Sequence, residues 1–197
     1  MSRHKADTRT RILETARRLL EERGYYGVGV DEIAKAAGVS RQAVYLHFSS
    51  KGKLLLATAR HIDATGELPK LLEHVFAAPD ALTALDRAVD LHLAYDTKIL
   101  RFALLFESAR RTEEDADLAW RDRQKARHAF FRKLVEWLKR DGVLARDLTL
   151  AEAVDLWWTL HSHQMLEQLV GQRGWSRERY GRGLKRLLRR ALTTRRE

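Results

Sequence analysis

Apolar residues recur along this chain with the spacing of helices. Ile12, Leu13, Ala16, Leu19 and Leu20 stand at i, i+1, i+4, i+7 and i+8, which gathers them on one helical face. The spacing predicts a helix over 8–23, stopped at Gly24. A short helix is expected over 31–37, with Asp31 and Glu32 in its electropositive first turn. Gly38, Val39 and Ser40 interrupt it, and Ser40 is placed to cap a third helix over 41–48. A second break at 50–52 starts a longer helix running to about Gly66. Beyond Pro69 the pattern gives a short piece over 71–76, then a helix begun by Pro79 and Asp80. The run over 99–109 is almost continuously apolar, Glu114–Arg140 is amphipathic, and 150–170 is broadly apolar. Ser176 precedes a last helix with Tyr180, Leu184, Leu187, Leu188 and Ala191 in register. No segment alternates with the period of a strand. The expectation is an all-α chain of about nine helices: a three-helix head with a helix-turn-helix over about 29–48, then a helical body.

The stretch from Asp31 to Tyr45 meets the physical needs of a helix-turn-helix. Two short helices crossing steeply need a small residue at the crossing, and Ala34 is there. Their tight turn needs a residue that tolerates positive φ, and Gly38 supplies it four positions later. Ile33, Ala37, Val39 and Val44 form the shared core, which turns Arg41, Gln42, Ala43, Tyr45 and His47 outward. The second helix of such a unit enters the DNA major groove. Arginine pairs with guanine and glutamine with adenine in bidentate geometry, so Arg41 and Gln42 suit base reading, and Ala43 suits a thymine methyl. Tyr45, His47 and Lys51 suit phosphate oxygens.

Charge strengthens this picture. The 197 residues carry 37 Lys+Arg against 27 Asp+Glu, a formal net charge of +10, which points to an acidic partner. The excess is uneven: residues 33–62 hold five basic groups and no acid, residues 63–170 are net −4, and residues 171–197 are net +8. The recognition helix lies inside the acid-free window. The C-terminal excess reads as a solvated helix face, with a second nucleic-acid contact as the alternative. The absence of Cys removes disulfides, thiolate metal sites and Cys nucleophiles. No apolar run approaches the length of a membrane span and the N-terminus has no apolar leader, so a soluble, cytoplasmic protein without a membrane partner is expected.

Over roughly residues 8–60 the chain resembles the TetR family of bacterial regulators. The resemblance rests on Ile12 and Leu13, Ala16, Leu20, Gly24 and Tyr25, Val30, Ile33 and Ala34, Ala37 through Ser40, Val44 and Tyr45, His47 and Phe48, Ser50 and Lys51, and Leu54 and Leu55. Tyr45 ahead of His47 and Phe48, followed by Ser50 and Lys51, is its most specific part. It implies a DNA-binding domain over 6–66 and a ligand-binding and dimerisation domain over 67–197. It further implies a homodimer that holds a double-stranded pseudo-palindromic operator, most often as a repressor, and is released by a small effector. Ser40 joins the implied DNA contacts. Val28 and Gly29 stand where the family often carries hydroxyls that cap the helix and approach phosphate; Gly29 keeps the cap without the hydroxyl. Gly52 replaces a frequent Glu, which removes a like charge near DNA. Dimerisation is implied through the last two helices, over 149–170 and 176–194, with Leu156, Leu160, Tyr180, Leu184, Leu187 and Leu188 as packing positions.

Aromatic and polar residues of the body are candidates for the effector pocket: His92, Tyr95, Phe102, Phe106, Trp120, Arg127, Phe130, Trp158, His161 and Met165. Apolar walls with a few polar groups are the usual form of such a site; simple core packing is the alternative. Trp157 and Trp158 point about 100° apart on a helix and cannot share one pocket. His92 with Asp96, and His163 with Glu167, have chelating i, i+4 spacing, but two ligands do not make a site, so no metal and no cofactor are expected. No catalytic spacing motif occurs, and an enzyme is not expected. A non-specific nucleic-acid binder using both basic regions is the alternative to a sequence-specific regulator.

Overall fold

The computed structural model describes residues 2–194, with side chains from Asp7 onward. Met1 and residues 195–197, the end of the expected body, lie outside the described residues. The all-α expectation is met. The helices are α1 (Ser2–Arg23), α2 (Val30–Ala36), α3 (Arg41–His47), α4 (Lys51–Thr65), α5 (Leu68–Phe76), α6 (Ala81–Leu91), α7 (Thr97–Ala109), α8 (Glu114–Arg140), α9 (Leu150–Leu160), α10 (His163–Leu166) and α11 (Arg177–Leu192). Among the described residues the sole extended pairing is an isolated bridge between Leu144 and Thr193. It lies beside bonds from Ala145 N to Leu192 O and from Thr194 N to Val143 O, which clamp the end of α11 to the loop after α8.

Helix starts follow from their caps. Ser40, Ser50, Asp80 and Ser176 each accept the backbone N–H three residues on. Thr149 does the same for Glu152, whose carboxylate returns to the Thr149 N–H at 2.8 Å. Such reciprocal caps satisfy N–H groups that a helix start leaves open. The 150–170 run, expected as one helix, breaks at His161, and Ser162 caps α10. Two π-helical turns, His92–Asp96 and Glu167–Gln172, follow α6 and α10. Neither break nor turn carries a Gly or Pro at its start, so periodicity alone does not reveal them.

The chain forms two compact units: one of residues 1–66 with 101–123, the other of residues 67–100 with 124–197. In the first, Ile12, Leu13, Ala16, Ile33, Val44, Leu54 and Leu55 form the core. Asp63 pairs with Arg123, and Arg60 with Asp122 at 2.8 Å, which joins α4 to the start of α8. In the second, Val75, Leu85, Val89, Leu134, Leu138, Trp157, Leu184 and Leu188 are buried. Asp86 takes two bonds from Arg189, at 3.1 and 2.9 Å, and Asp90 pairs with Lys185 at 2.6 Å. Part of the C-terminal positive charge is thus neutralised by α6.

Candidate functional site

The head assembles from small residues outward. Gly38 has φ +64°, and the Val39 N–H reaches back to the Ala34 carbonyl at 3.0 Å to close the turn between α2 and α3. Ile33, Ala34, Ala37 and Val44 are buried beneath it, and Val39 half-buried. That packing leaves Arg41, Gln42, Tyr45 and Leu46 exposed on α3, with Ala43 and His47 half-buried. Arg41 lies over the Tyr45 ring, 5.6 Å from its centre, and donates to Asp31 at 2.8 Å. Both partners of that ion pair are open to solvent, so releasing Arg41 toward a base costs little.

Three expected contacts have other duties in this structure. Lys51 donates to the Tyr25 carbonyl and sits 4.0 Å from the centre of that ring. Burial lowers the Lys51 pKa, with Glu113 and Glu32 opposing. It fastens the start of α4 to Tyr25 instead of standing free for phosphate. Burial first, then Glu113 and Asp115, pushes the Tyr25 phenol up to about 12. The Ser40 oxygen accepts from Ala43 N at 3.1 Å, and Gly29 N donates to the Glu32 carboxylate at 2.9 Å. Both are caps that aim α3 and α2.

The sequence reading missed Leu46, which is 77% exposed on the reading face; an apolar residue reads as core until the turn fixes the helix rotation. It also missed Arg9. Its guanidinium lies over the Phe48 ring at 5.3 Å, in a hollow shared with His47, Lys53 and Arg60. Arg9 and Lys53 flank α3 there, while Asp115 and Asp122 line the same hollow and Asp122 pairs with Arg60.

Residues 12–58 match the profile described as "Bacterial regulatory proteins, tetR family". The matched segment takes in the end of α1, all of α2 and α3, and the first half of α4. Over 58 residues it is 47% identical to the HTH-type transcriptional activator FasR of Mycolicibacterium smegmatis, covering 29% of this chain and 26% of that protein. Over 54 residues it is 48% identical to the HTH-type transcriptional repressor AcnR of Corynebacterium efficiens, covering 27% and 29%. The chain therefore spans under a third of the length of these relatives. A protein from Saccharomonospora viridis solved in complex with choline shares the fold over 96% of this chain and 100% of its own, with TM-score 0.78 and 24% identity. The regulator FadR of Bacillus subtilis, solved with stearoyl-CoA, shares it over 91% and 96%, with TM-score 0.76 and 16% identity. The segment carrying α2 and α3 is thus similar to that of tetR-family regulators, and the chain as a whole shares the fold of these two solved structures.

The expected pocket residues divide between the two units. Phe102 and Phe106 are buried edge-to-face at 5.4 Å in the first, where Trp120 lies half-buried beneath Arg110. In the second, His92, Tyr95 and His161 are buried, while Arg127, Phe130 and Met165 are half-buried. Phe130 meets the Phe76 ring edge at 5.8 Å. Trp158 does not face inward: it is exposed and donates to Gln124 at 2.9 Å. Its neighbour Trp157 is the buried one, stacked on Phe131 at 5.8 Å. Of the expected dimer positions, Tyr180, Leu184 and Leu188 are fully buried within the single chain, so they are core and cannot meet a partner. Leu156 and Leu187 are exposed, and Leu160 is half-buried. An in-register stripe does not say whether it packs on its own chain or on another.

The most polar interior of the body surrounds Asp96. Its carboxylate meets His92 Nδ1, and His163 Nε2 stands 3.6 Å away. His92 Nε2 is 3.1 Å from the Tyr180 hydroxyl, and Trp157 Nε1 donates to His161 Nδ1 at 3.3 Å. Arg127 donates to the His161 carbonyl and lies 3.5 Å from His163 Nδ1. Burial pushes the Asp96 carboxyl up, but His92 and His163 outweigh it and hold the pKa well below the carboxylate range. Burial pushes His163 down and His161 well down, so both stay neutral.

Proposed function

We propose that this chain works in the cytoplasm as a homodimeric, sequence-specific repressor. The reading assigns DNA binding to residues 6–66, and dimerisation and effector binding to residues 67–197. Two copies of α3 would enter successive major grooves of a pseudo-palindromic operator. The observation that carries the reading is the open face of Arg41, Gln42, Tyr45 and Leu46 within a segment free of acidic residues. Its chemistry suits base edges, and Arg9 and Lys53 stand beside it for the backbone. The repressor AcnR supports the direction of control. The exposed Leu156 and Leu187 support a second copy as partner.

An effector acts in this reading by favouring a body conformation that spaces the two α3 helices wrongly for the duplex. The complexes with choline and stearoyl-CoA support a small organic ligand. In this chain His92, Tyr95 and His161 fill the interior, so an effector must part them.

Fluorescence anisotropy with a labelled duplex from the gene's own upstream region tests the binding. Specific affinity should exceed that for scrambled duplex by at least about 10³-fold at physiological salt. Equal affinity for both duplexes, with a steep salt slope, would instead identify a non-specific binder. Deleting the gene should raise transcription from that region. A fall would make the protein an activator, as FasR is named.

A further inference from the structure

We propose that the buried His92, Asp96 and His161 group, with His163 as fourth donor, binds one borderline transition-metal ion of the zinc class. The donor atoms of the first three residues all lie within 4.8 Å of one another. Ligands of a tetrahedral ion with bonds of about 2.0–2.1 Å stand roughly 3.4 Å apart, so small side-chain movements close the site. His163 Nε2 provides a separate observation. It is buried without a hydrogen-bond partner among the described residues. Its 3.6 Å separation from Asp96 Oδ1 is too long for a hydrogen bond and close to the spacing of two ligands on one ion. A buried ring nitrogen left unpartnered calls for a partner.

Nearby residues fit the same reading. Tyr180 holds His92 Nε2 at 3.1 Å, which leaves Nδ1 facing Asp96 for the ion. An outer hydrogen bond of this kind orients a metal-bound imidazole. Arg127 fixes the backbone between His161 and His163 through the His161 carbonyl.

The donor set selects the ion. Three imidazoles and one carboxylate suit zinc, cobalt, nickel or copper. Magnesium and calcium need more oxygen donors, and the Arg127 charge beside the site disfavours an ion held by charge alone. Four protein donors leave no open position, so the site is closed and non-catalytic.

Binding breaks one present contact. Coordination through His161 Nδ1 displaces the Trp157 indole hydrogen; coordination through Nε2 leaves the ring proton on Nδ1, where it opposes that same hydrogen. Trp157 is therefore a built-in reporter.

The test uses the full chain, stripped with EDTA and titrated with Co²⁺, without DNA, so its failure is distinct from failure of the regulator reading. Equilibrium dialysis should give one ion per chain. Visible d–d bands of tetrahedral cobalt and a change in tryptophan emission should saturate together. One equivalent of Zn²⁺ should bleach the bands and excess Mg²⁺ should not. His163→Gln and Asp96→Asn, checked for folding by circular dichroism, should weaken Co²⁺ by at least about tenfold; the exposed His128→Ala should not. Should either core variant fail to fold, wild-type stoichiometry and Zn²⁺ competition decide. Less than one ion per chain, displacement by Mg²⁺, or unweakened binding in a folded His163→Gln overturns the proposal.

Discussion

Replacing Gly52 by alanine sets two physical effects against each other. Gly52 lies in the first turn of α4, where alanine is intrinsically better than glycine by up to about 1 kcal/mol. Helix preference alone therefore predicts a gain in stability. The packing predicts a loss. A Cβ at Gly52 would lie 2.0 Å from the Asp115 Cβ, 2.6 Å from its carbonyl carbon and 2.8 Å from its Cα. Ordinary carbon contacts stand at about 3.5–4.0 Å, so α4 and α8 must part by roughly 1.5 Å. Overpacking of this kind costs about 1–3 kcal/mol. The upper part of that range applies, because the obstruction is largely backbone and cannot rotate away. The net expectation is a loss of about 1–2 kcal/mol, or a Tm lower by roughly 2–8 °C for a chain of this size. Thermal unfolding followed by circular dichroism measures it. A variant that melts at or above the wild-type temperature refutes the close-packing account and leaves relief of like charge near DNA as the reason for glycine here.

Four further outcomes follow from the same structure. Arg41→Ala should weaken binding to the cognate duplex about 5- to 150-fold and relax one base position, with Tm unchanged because its pair with Asp31 is exposed; anisotropy against single-base operator variants reads both. Leu184→Ala should destabilise the chain by about 2–5 kcal/mol at any concentration, whereas Leu187→Ala should leave monomer unfolding alone and weaken self-association in sedimentation velocity. Tyr180→Phe removes the hydroxyl from His92 and should cost about 1–3 kcal/mol in urea unfolding; no change would remove Tyr180 from the polar cluster. Stability should fall as pH drops from about 7.5 to about 5.5, because the unfolded chain takes up protons below about 6.5 that the folded His161 and His163 refuse. The depressed Asp96 adds to the loss at lower pH, and His161→Phe should flatten the first part of the Tm profile if the buried ring is its source.

What the sequence determined by itself is local. Apolar spacing marks a helix because side chains three and four apart share a face, and a cap is written in one residue and its N–H three positions on. The head was legible for that reason: Ala34, Gly38 and Ser40 act within a dozen residues, and the acid-free window needs no fold to be counted. The tertiary structure decided whatever depends on which face meets which neighbour. Tyr180, Leu184 and Leu188 are core and Leu187 is surface, though one helical stripe holds all four. Lys51 is drawn to Tyr25 by a fold that joins residues 26 apart. The cluster around Asp96 gathers a π turn, the break after α9, one residue of α8 and one of α11. Spacing along the chain gave its histidines no more than pairs. Burial gives them a shared interior, because an ionised carboxylate removed from water must find its partners wherever the chain can bring them.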